Sequence, residues 1–86
     1  MHDVAGLTIV PHRVARHSIV RSFIKVPGMT EERAVELART LVAIDGVVDA
    51  EVFAEDEVAS VLYDVRVDVS ALVAAIKQAG YDAHPL

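Results

Sequence analysis

The spacing of apolar residues changes sharply at Val26-Pro27-Gly28-Met29-Thr30, and this change constrains the fold more than any other feature. Residues 18–26 read as a strand whose alternate side chains are expected to face a core, namely Val20, Ser22, Ile24 and Val26. From residue 31 to about residue 44, apolar side chains recur every three or four positions, which predicts a helix with one buried stripe. Pro27 and Gly28 end the strand, Thr30 is expected to cap the start of the helix, and Asp45-Gly46 is expected to end it with a left-handed glycine cap.

Downstream, a hairpin precedes a second helix. Residues 47–54 and 58–64 are β-prone and flank the polar turn Glu55-Asp56-Glu57, which predicts two antiparallel strands. Asp68 is expected to cap a helix at 69–79 that ends at Gly80, and residues 81–86 can add a last strand. This order predicts an α+β, ferredoxin-like βαββαβ domain, with a four-stranded antiparallel sheet and two helices on one face.

Length and composition fit one domain, residues 18–86, preceded by an N-terminal arm or extra strand at 1–17. The formal net charge of −5 argues against nucleic acid as a partner. No apolar run approaches the roughly 20 residues that cross a bilayer, and the N-terminus lacks the pattern of a signal peptide. We therefore expect a soluble, cytoplasmic domain without direct membrane insertion.

Two charged or apolar stretches suggest protein contacts. The arm contains a β-prone run, Leu7–Val10, which could pair with an exposed sheet edge of a neighbouring molecule, so self-association through the arm or the sheet edge stays open. A central acidic stretch predicts an acidic hairpin, through Asp45, Asp49, Glu51, Glu55, Asp56 and Glu57. This hairpin is either a solvated face or a docking patch for a basic partner.

Four segments, in order, resemble heavy-metal-associated domains, the small modules of copper chaperones and of the N-terminal regions of metal-transporting P-type ATPases. They are Gly28-Met29-Thr30, Asp45-Gly46-Val47, Leu62-Tyr63-Asp64, and the run from Val69 through Leu72, Ile76 and Gly80 to Tyr81-Asp82-Ala83. The likeness covers about residues 19–84. It implies that Tyr81 closes the second helix and packs near the turn at residues 28–30.

The functional centre departs from that family. There, Gly-Met-Thr is followed by Cys-x-x-Cys, whose thiolates bind the metal, whereas this chain continues Glu31-Glu32-Arg33-Ala34 and has no cysteine. Alignment on the helix stripe and on Gly46 leaves the segment about one residue short, which places Arg33 near the second cysteine. A guanidinium there raises the energy of a bound cation. The resemblance therefore predicts a degenerate member without the soft-metal site.

Three functions remain open. The first is an accessory, regulatory or docking domain associated with heavy-metal transport, whose partner is a membrane metal transporter. The second is a site for a divalent metal ion, Zn(II), Ni(II) or Co(II), with ligands drawn from Glu31, Glu32, His12, His17 and His84. The third is a metal-independent interaction or oligomerisation module.

Simpler roles exist for the same residues. Glu31 and Glu32 stabilise the positive end of a helix, exposed histidines need no ligand, and Met29 fits a core gap. No cofactor is certain on this basis. No nucleophile beside a base and no phosphate-binding loop is found in the sequence, so an enzyme is not expected.

Overall fold

Between residues 19 and 86, six elements follow one another in the predicted order. The structure is a computed structural model that describes residues 19–86, so the predictions for the arm at 1–17, including Leu7–Val10, His12 and His17, lie outside the described residues. The elements are β1 Ile19–Lys25, α1 Glu31–Val42, β2 Val47–Phe53, β3 Val58–Asp64, α2 Val69–Gln78 and β4 His84–Pro85. This order confirms the predicted βαββαβ arrangement.

The four strands form one antiparallel sheet in the order β2-β3-β1-β4. Strand β1 pairs with β3 along its whole length, from Ile19 opposite Asp64 to Lys25 opposite Val58. It pairs with β4 only at Ile24 and Lys25. The last strand is therefore two residues long, shorter than the predicted stretch 81–86, and β2 occupies the far edge of the sheet.

The buried side of β2 could not be chosen from the sequence, because both alternations contain apolar residues. The pairing of β2 with β3 shifts register between Val47 and Asp49. This irregularity leaves Val48 exposed while Val47 packs against the core and Ala50 is buried. Two core-facing residues three positions apart break the simple period of two, which explains the ambiguity.

A single hydrophobic core lies between one face of the sheet and both helices. Ile24 and Val26, which were predicted to face the core, are fully buried, whereas Val20 and Ser22 of the same predicted set are only partly buried. The helices contribute side chains that are at most 1% exposed, namely Leu37, Leu41, Leu72 and Ile76. On the opposite face of β1, Phe23 remains 48% exposed. In the part of the chain that the structure describes, neither helix is long and apolar enough to cross a membrane.

The two helices end differently from each other. At α2, Gly80 has φ +102°, its N–H donates to the carbonyl of Lys77, and the N–H of Tyr81 donates to the carbonyl of Ile76. This is the Schellman motif, so Gly80 ends the helix as predicted. Helix α1 ends at Val42, two residues before its expected end near residue 44, and its C-cap is Ala43 in a right-handed conformation rather than the expected Gly46.

Gly46 consequently has a role other than helix capping. It lies beyond the end of α1, in the turn that enters β2, with φ +95°. A Cβ atom at this position would overlap Cγ2 of Val67. Gly46 is therefore required both for its backbone conformation and for the close approach of the turn that precedes α2.

Candidate functional site

The turn between β1 and α1 is fixed from below by the core. Val26 is fully buried and Met29 is 7% exposed, while Pro27, Gly28 and Thr30 between and after them face solvent. Gly28 adopts φ +81°, a conformation that other residues rarely adopt. Met29 thus packs in the core, as predicted, and holds the exposed part of the turn in place.

Helix α1 begins immediately after this turn. Thr30 is extended, and its Oγ1 accepts a hydrogen bond from the N–H of Arg33 at 3.3 Å, which confirms the predicted N-cap. Glu31 and Glu32 occupy the exposed first turn, where carboxylates interact favourably with the helix dipole. Arg33 is exposed as well. The surface that follows Thr30 therefore presents two carboxylates and one guanidinium.

The β2–β3 hairpin clamps the turn from the side, through a residue that sequence reasoning missed. Glu57 accepts a hydrogen bond from the N–H of Gly28 at its Oε2, and another from the N–H of Val26 at its carbonyl oxygen, both at 2.7 Å. Lys25 donates from Nζ to the carbonyl of Asp56 at 2.9 Å. Glu57 also has φ +56°, so an unfavourable backbone conformation is kept where it braces the turn.

The sequence contained only a weak signal for this clamp. Glu57 is one of three consecutive acidic residues, which favours a solvated turn. Its contact with Gly28 depends on the pairing of Lys25 with Val58, which brings the hairpin beside the end of β1. That register cannot be obtained from the alternation of either strand alone.

The predicted metal ligands are only partly within the described residues. Glu31 and Glu32 lie in α1, and His84 lies in β4, where it pairs with Lys25. Between residues 19 and 86, no group of three or more histidine, cysteine, aspartate or glutamate side chains is placed to hold a metal ion. His12 and His17 lie outside this range, so a site that uses them remains a prediction.

A groove of about 800 Å³ lies beside the turn, between α1 and β2. Its apolar lining comes from Ala34, Val35, Ala38, Val52, Phe53 and Ala54. Charged side chains also line it: Glu31, Arg39, Glu55 and Asp56. The predicted acidic hairpin is thus exposed at Glu55 and Asp56, and it borders an apolar surface.

A separate ion pair stabilises the turn that leads into α2. Arg66 donates from its backbone N–H and from Nε to Oδ1 of Asp64, at 2.9 and 3.1 Å, and from Nη2 to Oδ2 at 2.8 Å. These hydrogen bonds, the side-chain ones first, lower the pKa of Asp64 to about 2. The pKa of Arg66 is raised by the same contacts. The pair stabilises the connection between β3 and α2, which is separate from the β1–α1 turn.

Comparison with protein-family models gives no match, and comparison with curated proteins gives none either. Solved structures do match. A copper binding domain from HMA7, a P-type ATPase, is 26% identical over 77% of this chain and 92% of its own length, with a TM-score of 0.74. The N-terminal domain of a potential copper-translocating P-type ATPase from Bacillus subtilis, in the Cu(I)-loaded state, is 28% identical over 76% and 84%, at 0.69.

The CopZ metallochaperone is 33% identical, and the match covers 76% of this chain and the whole of that protein, with a TM-score of 0.71. The chain belongs to the heavy-metal-associated domain family. Family membership confirms both the predicted resemblance and the ferredoxin-like fold. Since the sequence contains no cysteine, this member lacks the Cys-x-x-Cys segment of the family.

Proposed function

We propose that this domain is an accessory docking module of heavy-metal transport, which contacts a metal transporter or metallochaperone in the cytoplasm without holding a soft metal itself. Its similarity to the CopZ metallochaperone and to P-type ATPase domains supports a role in that process. A binding role rather than a catalytic one agrees with the names of these proteins. The transporter or chaperone is the partner, and the domain contributes a surface.

One observation carries the proposal: the β1–α1 turn keeps its support but offers no ligand for a soft ion. Met29 fills the core below it, and Glu57 braces Gly28 from the side. After Thr30 the exposed side chains are carboxylates and a guanidinium. Oxygen ligands match Cu(I) poorly, and the positive charge of Arg33 opposes any cation at this turn.

The exposed carboxylates of the β2–β3 hairpin favour a docking role for a domain that lacks the soft-metal site. Glu55 and Asp56 lie at the tip of the β2–β3 hairpin and border the apolar groove. Complementary charge increases the rate and selectivity of protein association, so a basic surface on the partner would recognise this tip. Glu57 is not available in the same way, because its carboxylate is bonded to the turn.

The test is metal handling in the source cell, with the native gene replaced by variants. Deletion of the domain, and the double variant Glu55→Lys with Asp56→Lys, should change tolerance to copper, zinc, nickel or cobalt and the cellular content of that metal. Glu36→Lys, a charge reversal at another exposed position, on α1 outside the groove, is the control. Variant levels are compared by immunoblot.

Two results would decide against the proposal. If deletion leaves tolerance and metal content unchanged for all four metals, the domain is a metal-independent interaction module. If the isolated chain binds one equivalent of Zn(II), Ni(II) or Co(II), with amide NMR shifts at Glu31 and Glu32 that are lost in a Glu31→Gln, Glu32→Gln variant, the carboxylate and histidine site replaces the docking role.

A further inference from the structure

We propose that the chain's own N-terminal arm docks in the groove between α1 and β2, where Leu7–Val10 adds to the outer edge of β2. The structure describes the groove and the edge, and the amino-acid sequence gives the chemistry of the arm. This inference concerns contacts within one chain and is tested separately from the proposed function, but an arm docked here would lie beside Glu55 and Asp56 and would compete with the proposed partner for that surface.

The groove exposes apolar surface next to an edge strand. Val35 on α1 is 55% exposed and Phe53 on β2 is 45% exposed, although both line the groove. In the described part of the chain, β2 has a hydrogen-bonded neighbour on one side only, β3. An edge strand presents N–H and C=O groups that a further extended segment can pair with. An apolar segment of high β-propensity fits both features.

The arm has that chemistry and the complementary charge. Residues 7–10 are Leu-Thr-Ile-Val, and residues 11–18 carry Arg13 and Arg16 with no acidic residue. In the antiparallel placement described below, residues 11–18 lie near the start of β2, where the exposed carboxylates are those of Asp49 and Glu51. Opposite charges along the two segments favour their association.

The connection is long enough. Strands β1 and β2 are parallel to each other, since both pair antiparallel with β3, and both begin at the end of the sheet that holds Asp64 and Tyr63. Moving from β1 across β3 and β2 to a new edge position spans three strand spacings, about 14 Å. Residues 11–18, eight in number, extend to about 26 Å. The length of residues 11–18 that this crossing does not use allows Leu7–Val10 to lie antiparallel to β2, alongside the groove.

The other open edge of the sheet is a poorer match. Strand β4 pairs with β1 only at Ile24 and Lys25, so the first half of β1 is also without a neighbour on that side among the described residues. However, β1 carries Arg21 and Lys25, whose charges repel those of Arg13 and Arg16. A short tether also gives the arm a millimolar effective concentration at its own domain, which favours docking within one chain over exchange between copies.

The absence of cysteine makes a direct test possible on the full chain. Thr8→Cys provides a single site for a nitroxide spin label, and the loss of amide NMR signal reports distance from the label. We expect the loss to peak at Val52–Asp56 and at Val35, and to decline across the sheet towards His84. Substitution of Val35→Asp should reduce the loss at Val52–Asp56 at least threefold.

Val42→Asp is the matched control, because Val42 is 47% exposed on the same helix but does not line the groove. It should leave the signal loss unchanged. A peak at Ile19–Phe23 or at His84–Leu86, or an equal loss in both aspartate variants, would overturn the proposal. A mixture of spin-labelled chain without ¹⁵N and ¹⁵N-enriched chain without a spin label tests for docking between copies. Signal loss that appears only in this mixture would also overturn the proposal, because the arm would then dock on a second copy.

Discussion

At the β1–α1 turn and the start of α1, the buried positions support the fold of the family, whereas the exposed positions lack the metal ligands of the family. Val26 and Met29 lie in the core and keep the turn in shape. Glu31, Glu32 and Arg33 face solvent and carry none of the family's ligand chemistry. Packing in the core constrains the first set, whereas the exposed second set contributes only the favourable interaction of its carboxylates with the helix dipole. The scaffold of a metal-binding domain can therefore persist after its ligands are replaced.

The largest expected effect tests the buried half of this comparison. Leu41 is fully buried in the stripe of α1, so Leu41→Ala should leave a cavity and cost about 2–5 kcal/mol of unfolding free energy. The adjacent Val42, 47% exposed, is the control, and Val42→Ala should cost less than about 1 kcal/mol. Urea unfolding of both variants measures the difference. Equal effects would show that burial does not control stability here.

A second test concerns the turn that enters β2. Gly46→Ala combines an unfavourable backbone conformation with overlap against Val67, whereas Gly80→Ala has a similar φ and open space around it. Gly46→Ala should therefore be less stable than Gly80→Ala by about 1–3 kcal/mol, the usual cost of overpacking. Thermal unfolding of the two variants checks this. Identical melting temperatures would mean that the turn and Val67 move apart freely.

A smaller effect is expected at the clamp on the exposed side of the turn. Glu57→Ala removes the acceptor of the Gly28 N–H and should cost about 1 kcal/mol, with a shift of the Gly28 amide signal. Glu55→Ala, in the same hairpin, should change neither quantity. If Glu57→Ala leaves the Gly28 amide unshifted, the core alone holds the turn.

The smallest expected effect on stability occurs only at acidic pH. The pKa of Asp64 is about 2 in the folded chain, below the ordinary 3.8, because Arg66 hydrogen-bonds to its ionised form. The unfolded chain binds more protons in this range, so stability falls as pH decreases from about 4 to about 2. Asp64→Asn should make unfolding less dependent on pH there. Parallel acid curves for native chain and Asp64→Asn would contradict this.

Most of the scaffold could be predicted from the sequence, because local residue patterns encode its helices, strands and caps. The stripe through Leu37 and Leu41 and the caps at Thr30 and Asp68 depend on neighbours within a few positions, and the structure confirms them. The predicted contact of Tyr81 with the β1–α1 turn stays a prediction, although Tyr81 packs against the core.

The site was less accessible because it depends on contacts between distant residues. The bond from Gly28 to Glu57 joins residues 29 positions apart, and the groove requires α1 to lie over β2. The irregularity at Val48 likewise appears only when β2 is paired with β3. Loss of the metal ligands, in contrast, was evident from the sequence, since it follows from the missing cysteines.

The most direct test of a retained scaffold with replaced ligands is a Cu(I) titration against a competing chelator. The native chain is compared with a variant that carries Glu31→Cys and Arg33→Cys and one alanine inserted after Glu32, which restores the family spacing. A matched variant with serine at both positions is the control. We predict that the cysteine variant takes up one equivalent of Cu(I), and that the native chain and the serine variant take up none. Competition by the native chain, or failure of the cysteine variant, would contradict this.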